Sequence, residues 1–263
     1  NVGLSYASGE YVAFLDADDW IHPDFYSTLY SLALKYDTDI IQYPTTDCTL
    51  DAEEREEKSC IHRNSKGNGY YEINSIIERK QFLNSRILNY GSQVKFYKRS
   101  FLLNNQSSFM EGVAYEEPSF VYPLLFTAQK IYIFDKPWYY CHIHKESTMQ
   151  SYVRQKGKLY DHPRVQLFLF NIMRNKRQIY QCFQSEIDYY FLFTFYYETL
   201  YFAVSGHLYL GLDFFQMMQD TIKQLLPEWQ HNSYINLDEN KDVLSLLSTV
   251  DIEFNEVSFK TFL

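Results

Sequence analysis

Three aspartates directly follow a short apolar run near the start of the chain. Residues 11–15 read YVAFL, and Asp16, Asp18 and Asp19 come next. A continuous apolar run of this length is typical of a strand buried in a parallel sheet. Open α/β sheets bind ligands at the carboxyl ends of their strands, where carboxylates can hold a divalent cation and the cation can hold a diphosphate. Hard oxygen ligands favour Mg²⁺ or Mn²⁺ over zinc.

Other interpretations of these aspartates can be compared with the sequence. A calcium-binding EF-hand loop starting at Asp16 would need glycine at its sixth position and glutamate at its twelfth, but Ile21 and Ser27 stand there. That interpretation fails. A phosphatase of the haloacid-dehalogenase type usually has Thr or Val where Trp20 stands, so it is the weaker alternative. One of the aspartates could also cap the helix that begins near Pro23.

The sequence around the aspartates predicts an α/β domain over residues 1–150. The run 11–15 reads as a central strand, a helix begins at Pro23, and 39–44 gives a second strand, which together form a parallel strand–helix–strand unit. The acidic stretch 51–58 has no apolar periodicity and is interpreted as a solvated loop or frayed helix. Further predicted elements are helices at 73–88 and after Pro118, and strands at 94–97, 131–134 and 138–142.

Residues 151–263 predict helices alone, in a region for acceptor, membrane or partner contacts. The strongly aromatic segment 187–204 reaches the lower limit of length for a membrane span. Glu198 in its middle and its many tyrosines favour a buried helix or one that lies at an interface. We therefore expect a cytoplasmic protein, with this segment as the place for a peripheral contact with the inner membrane or with a partner protein.

Composition and cysteine spacing exclude several classes of protein. The 263 residues carry a net charge of −9, which argues against a surface for nucleic acid. A hydrophobic content of 46% indicates a globular protein. The four cysteines have no C-x-x-C spacing, so the sequence predicts reduced thiols and neither a zinc site nor a disulfide scaffold. They are Cys48, Cys60, Cys141 and Cys182.

A series of motifs resembles the family-2 glycosyltransferases of the GT-A fold. Residues 1–11 contain N-x-G and A-x-G-E-Y, and 14–20 read F-L-D-x-D-D-W. Downstream, 95–99 resemble K-L-Y-K-R, 109–117 resemble F-x-E-G-x-x-Y-E-D, and 137–147 resemble P-x-Y-Y-Y-R-x-H-x-x-S. The resemblance implies a GT-A-like, Rossmann-like α/β fold with a mostly parallel sheet flanked by helices. The opening V-S-V-I-I-P-x-Y-N strand of that family is absent, so we expect that an N-terminal part precedes residue 1.

The resemblance also implies the reaction and the metal site. It implies inverting transfer from a nucleotide-sugar donor, with a UDP-sugar expected, to a glycan or lipid-linked glycan in bacterial surface polysaccharide synthesis. Asp18 would bind Mn²⁺ or Mg²⁺ on the leaving diphosphate, and Asp16 would contact the ribose or the metal's water shell. Asp19 is a supporting ligand. His144 would be a third metal ligand or a diphosphate contact, with Lys145 nearby to neutralise charge.

The general base implied by the resemblance is Glu117, with Glu116 beside it. The family has aspartate at this position, so the glutamate is a departure that reaches one methylene further. The helix that begins near Pro118 would help to keep the carboxylate ionised, although both glutamates could instead simply cap that helix. The departure and the missing front segment motivate an alternative function. In it, the protein is a non-catalytic homologue that binds a glycan or pairs with an active transferase.

Overall fold

A computed structural model describes residues 1–50, 57–144, 158–206, 210–235 and 241–262. The chain divides into two compact units. The first unit comprises residues 1–111 and 116–147, and the second comprises 112–115 and 148–263.

Two sheets and several helices make up the first unit. The main sheet contains β1 (Tyr11–Ala13), β3 (Ile40–Gln42), β6 (Gly69–Glu72), β7 (Lys95–Lys98) and β8 (Lys130–Ile133). The second sheet contains β2 (Trp20–Ile21), β4 (Thr45–Leu50), β5 (Glu57–His62) and β9 (Tyr139–His142), in the order β2-β9-β4-β5. The described helices are α1 (Val2–Tyr6), α2 (Phe25–Tyr36), α3 (Ile76–Ser85), α4 (Arg99–Asn104) and α5 (Glu117–Leu125).

The main sheet is mixed, not mostly parallel as predicted. Its order is β1-β7-β3-β8-β6, and only the β3–β8 pair among these neighbours is parallel. The predicted strand–helix–strand unit is present as β1–α2–β3, but β7 lies between its two strands and is antiparallel to both. β1 is therefore an edge strand of the described sheet, not a central one. An apolar run indicates that both faces of a strand are covered. It does not indicate whether the neighbouring strand is parallel or antiparallel.

The topology nevertheless brings the ends of three strands to one edge. Because β7 opposes both β1 and β3, the carboxyl ends of β1 and β3 lie beside the start of β7, as the register pairs Ala13↔Phe96 and Gln42↔Lys95 show. Helix α2 covers this part of the sheet with a buried face that includes Phe25 and Leu29. The aspartates that follow β1 are thereby carried to this edge.

A hairpin of β4 and β5 overturns the prediction of reduced thiols. Cys48 faces Cys60 in the register of the hairpin, and the two are joined by a disulfide. Cys141 and Cys182 are free. The pairing follows from strand register, which the sequence spacing did not reveal. Residues 57–58 of the acidic stretch belong to β5, not to a loop or helix, and 51–56 lie outside the described residues.

The described part of the second unit is helical. The predicted aromatic segment runs from α7 (Arg177–Phe191) through a turn of π-helix into α8 (Thr199–Ser205). It is largely buried, and Phe191 stacks on Phe170 at 4.1 Å between ring centroids. Among the residues described, no helix combines the length and apolar character that crossing a membrane requires. The main helices are α6 (Asp161–Asn175), α7 (Arg177–Phe191), the π-helix Leu192–Glu198, α8 (Thr199–Ser205), α9 (Leu212–Leu225), α10 (Lys241–Ser248) and α11 (Glu256–Phe262).

A buried lysine in the first unit supports the loop 87–92 at the edge of the main sheet. Lys95 of β7 is fully buried, and its Nζ donates to Asn89 Oδ1 at 2.8 Å and to the Gly91 carbonyl at 2.7 Å. Burial lowers the pKa of Lys95 to about 7, although the charge of Glu117 opposes the shift. The loop is thus tied to the sheet through a cation that is costly to bury.

The disulfide predicts a count of thiols. When the denatured, unreduced protein is alkylated, we expect two modified cysteines, Cys141 and Cys182, because the other two are bonded. Intact-mass spectrometry before and after reduction gives the count. Four modified cysteines without reduction would contradict the pairing.

Lys95 predicts a pH-dependent stability. Its folded pKa of about 7 lies below its ordinary value of 10.5, so between these limits the unfolded chain holds the proton and the folded chain does not. The free energy of unfolding should therefore rise with pH, by up to about 1.4 kcal/mol per pH unit from this group. Lys95→Met should remove that slope. Urea unfolding from pH 7 to pH 10 measures it, with exposed Lys223→Met as control, and parallel curves for native protein and Lys95→Met would refute the prediction.

Candidate active site

The aspartates that follow β1 rest on an aromatic cluster. Phe14 makes edge-to-face contacts with Tyr97, Phe109 and Phe120 at 5.4–6.0 Å between ring centroids. Phe109 stacks on Phe120 at 4.2 Å. Since Phe120 belongs to α5, the cluster links the start of the aspartate turn to the helix that begins at Glu117. Two of the predicted motifs are thus packed together through apolar side chains.

Strand β9 holds the aspartate turn from the other side. The turn is closed by the Asp19 N–H, which donates to the Asp16 carbonyl at 3.1 Å. Asp19 Oδ1 accepts from the His142 N–H at 2.9 Å, and the Asp16 N–H donates to the Tyr139 hydroxyl at 3.2 Å. The N-cap of α2 is Asp24, so the alternative that one of the three aspartates caps this helix is wrong.

Asp18 lies with two histidines in a group that could hold a metal ion. One ligand atom each from Asp18, His142 and His144 lie within 4.8 Å of one another, and His144 Nε2 is 3.1 Å from Asp18 Oδ2. His142 and His144 are two residues apart, so an extended backbone turns both side chains to one face. His142 was not predicted as a ligand. The H-x-H spacing on a strand was the signal for it, but such a pair alone is a weak one.

The donor set of this group fits a divalent cation of the Mn²⁺ type. It offers one carboxylate oxygen and two imidazole nitrogens, and Mn²⁺ accepts both kinds of donor more readily than Mg²⁺ does. Asp16 and Asp19, which were predicted as ligands, contribute no atom to the group among the described residues. Lys145 lies outside the described residues.

Glu117 is anchored through one of its carboxylate oxygens. Its Oε1 accepts from both the N–H and the hydroxyl of Ser92, each at 2.7 Å. Within the described part of the chain, Oε2 accepts no hydrogen bond, so it is available to a substrate. Glu116 is the N-cap residue of α5, but its side chain makes no capping bond, and Glu117 bonds to a neighbouring loop. The alternative that both carboxylates simply cap this helix is therefore wrong.

The carboxylates of this edge lie close enough to repel one another. Partial burial raises the pKa of Asp16 to about 6, and the charges of Asp19, Glu117, Asp18 and Glu116 act in the same direction. Coulombic repulsion of this kind disfavours further negative charge at the site unless a cation offsets it. Asp16, Asp18, Asp19, Glu116 and Glu117 therefore lie near enough to one another for their charges to interact.

Other predicted motifs meet around the site. Asn1 Nδ2 donates to the Phe109 carbonyl at 2.9 Å, and the Phe109 N–H donates back to Asn1 Oδ1 at 2.9 Å. Trp20 and Tyr140 stack on each other at 5.5 Å between ring centroids in the β2–β9 pair. Both side chains are half-buried, and each ring packs on the other.

Comparisons with known proteins agree with the motifs. Residues 1–104 match the family described as Glycosyl transferase family 2. The glycosyltransferase YibD of Escherichia coli (strain K12) is 26% identical over 196 residues, covering 72% of this chain and 56% of YibD. EpsH of Bacillus subtilis (strain 168), also named as a glycosyltransferase, is 26% identical over 166 residues, covering 59% of this chain and 44% of EpsH. The chain thus spans about half the length of these relatives.

The fold is similar to that of TarS, a protein of solved structure. The crystal structure of TarS from S. aureus, residues 1–349 in complex with UDP-GlcNAc, aligns with a TM-score of 0.54 at 16% identity, covering 100% of this chain and 71% of that one. A longer TarS structure aligns with a TM-score of 0.57 at 17% identity, covering 95% of this chain and 42% of that one. These likenesses confirm the GT-A-like α/β fold that the motifs predicted. The first 104 residues are therefore similar to the Glycosyl transferase family 2 domain.

Proposed function

We propose that the complete protein transfers a sugar from a UDP-sugar to a glycan or lipid-linked glycan, with inversion at the anomeric carbon. The observation that carries the proposal is that a metal-type group of Asp18, His142 and His144 and a half-free carboxylate of Glu117 belong to one acid-rich edge. This edge lies in the unit whose residues 1–104 match the family 2 model. Glycosyl transfer needs both a device for the leaving diphosphate and a base for the acceptor hydroxyl.

Asp18, His142 and His144 would form the donor end of the site. They would hold Mn²⁺ or Mg²⁺, which when bound neutralises charge growing on the leaving diphosphate. Asp19, already bonded to the His142 N–H, keeps the backbone of β9 in register with the turn. Asp16 would accept a hydrogen bond from the donor's ribose or from the metal's water shell. The neighbouring carboxylates would disfavour the diphosphate in the absence of a cation.

Glu117 would form the acceptor end. Ser92 fixes Oε1, so the carboxylate is oriented and Oε2 can take the proton of the attacking hydroxyl. Its extra methylene relative to aspartate is accommodated by the bonds to Ser92, which set where the carboxylate ends. Attack from the side opposite the diphosphate inverts the anomeric centre.

The biological setting belongs to the same proposal. The relatives that bear glycosyltransferase names come from bacteria, and TarS was crystallised with UDP-GlcNAc. UDP-sugars are therefore the first donors to test, and glycans of the bacterial surface are the first acceptors. Calorimetry of the complete protein with a panel of nucleotide sugars, with Mn²⁺ and with chelator, identifies the donor. Donor binding without transfer to any acceptor would favour the alternative of a non-catalytic partner protein.

Asp18→Asn tests the donor end. We expect metal-dependent binding of the donor to fall by at least about 100-fold, because an amide gives the cation no charge and one of three ligands is weakened. Calorimetry with Mn²⁺ measures the loss. Asp24→Asn is the matched control, since Asp24 is exposed and outside the metal-type group. Equal donor affinity in the two variants would contradict the assignment.

Glu117→Gln tests the acceptor end. We expect the rate of transfer to fall by about 100-fold or more while donor affinity stays unchanged, because the amide cannot accept the proton but retains the shape. Initial rates at saturating donor measure the effect, and Glu72→Gln on β6 is the matched control. If Glu117→Gln kept the native rate with a native melting temperature, the base would have to lie elsewhere.

A further inference from the structure

A small cavity in the first unit is surrounded by positive charge. The cavity has a volume of about 230 Å³ and is lined by Arg63, Lys66 and Arg86 together with Asn64 and Asn89. Arg63 and Lys66 lie in the turn after β5, and Arg86 is the residue that ends α3. Three cations from two separate segments thus surround one opening. No acidic residue is among the described residues that line it.

This concentration of positive charge is unusual for the chain. The net charge is −9, with 24 basic and 33 acidic residues, so a random patch would be acidic. Arg63 is ion-paired with Asp47, which leaves its guanidinium partly engaged. Lys66 and Arg86 are exposed and form no ion pair with the described residues. Two of the three cations that line the cavity are thus not engaged by any described carboxylate.

The backbone around the cavity is fixed before any ligand binds. Arg86 adopts a left-handed conformation with φ of 51° at the end of α3. Gln42 Nε2 donates to the Ile87 carbonyl at 2.8 Å, and Gln42 Oε1 accepts from the Asn89 N–H at 2.9 Å. On the opposite wall, the Arg63 N–H donates to the Thr45 carbonyl at 2.8 Å. A site whose walls are already ordered spends less binding free energy on ordering them.

The cavity belongs to the same edge of the main sheet as the candidate active site. Gln42 ends β3, whose carboxyl end lies beside the start of β7, as that of β1 does. The loop that forms one wall at Asn89 continues to Ser92, which holds Glu117. A group bound in the cavity would therefore be one short loop away from the proposed base, Glu117.

We propose that this cavity binds a phosphate group of the acceptor. Arg86, Lys66 and the asparagine amides offer N–H donors on several sides of the opening, and a phosphate has more acceptor oxygens for them than a carboxylate has. The diphosphate of the donor has its own place at Asp18 and the histidines, and the cavity contains no group that would hold a metal. That the bound phosphate belongs to the acceptor rests on the proposed function, whereas the phosphate site itself does not.

Binding of phosphate tests the site directly. The probes are inorganic phosphate, the diester glycerophosphoglycerol and acetate, each added to the complete protein at constant ionic strength with chelator present, so that no metal site contributes. Amide NMR titration reports both affinity and place. We expect phosphate and the diester to shift the signals of Asn64 and Asn89, and acetate to bind at least about tenfold more weakly.

A paired substitution separates this site from general charge. Lys66→Gln with Arg86→Gln should weaken phosphate and diester binding at least about tenfold. Arg177→Gln with Lys223→Gln removes the same charge from exposed positions of α7 and α9 and should leave binding unchanged. Equal binding by both pairs would overturn the proposal. If phosphate bound without the diester, the site would hold free phosphate and not an acceptor group.

Phosphate binding and sugar transfer are measured separately, so failure of one can be told from failure of the other. Loss of phosphate binding in the Lys66/Arg86 variant, together with no sugar transfer by the native protein, would leave the anion site standing and refute the transferase. Sugar transfer by the native protein with no phosphate binding at the cavity would support the transferase and refute the anion site. With both activities present, the variant should raise KM for a phosphate-bearing acceptor and leave donor affinity unchanged.

Discussion

Repulsion among carboxylates is the constraint around which this site is built. Five acidic side chains gather where β1 ends and α5 begins, and partial burial together with the charges of the other four raises the pKa of Asp16 to about 6. Such a cluster is stable only if donors hold its members in place. The donors come from outside the aspartate turn: the N–H of His142 for Asp19, and the N–H and hydroxyl of Ser92 for Glu117. The second sheet and the loop 87–92 are thus part of the site as much as the acids are.

These contacts divide the acidic atoms into those that are fixed and those that remain available. Asp19 accepts a hydrogen bond from the backbone of β9, whereas Asp18 lies close to the imidazoles of His142 and His144. Glu117 shows the same division within one side chain. Its Oε1 accepts two hydrogen bonds from Ser92, whereas Oε2 accepts none from the described residues. A carboxylate that is bonded on one oxygen keeps a defined direction for the other. Under the proposed function, this anchoring would orient Glu117 at a position where the family has the shorter aspartate.

Sequence reasoning found the parts of this arrangement that depend on local order along the chain. The aspartate turn after an apolar run, the helix at Glu117 and the strands near His142 follow from composition and spacing, and the structure places them as elements close to the predicted bounds. The motifs at 1–20 and 109–117 meet in the structure through Asn1 and Phe109.

What sequence reasoning missed depends on which strands become neighbours. The insertion of β7 between β1 and β3, the pairing of Cys48 with Cys60 and the approach of His142 to Asp18 all require strand order and register. A two-residue period tells which face a side chain is on and is silent about what faces it. Ser92 was missed for another reason, because a lone serine in a loop carries no pattern.

Charge separation along one edge of the sheet has a consequence for how a substrate would enter. The acid cluster repels an anion, whereas the cavity at Arg63, Lys66 and Arg86 attracts one. At physiological salt such fields extend about 8 Å, which is enough to act between neighbouring subsites but not across the molecule. An acceptor with a phosphate beside its hydroxyl would therefore be oriented before contact, with the anion turned toward the cavity and the hydroxyl toward Glu117. An acceptor without that phosphate would lose this orienting force, and the selectivity would weaken as salt is added.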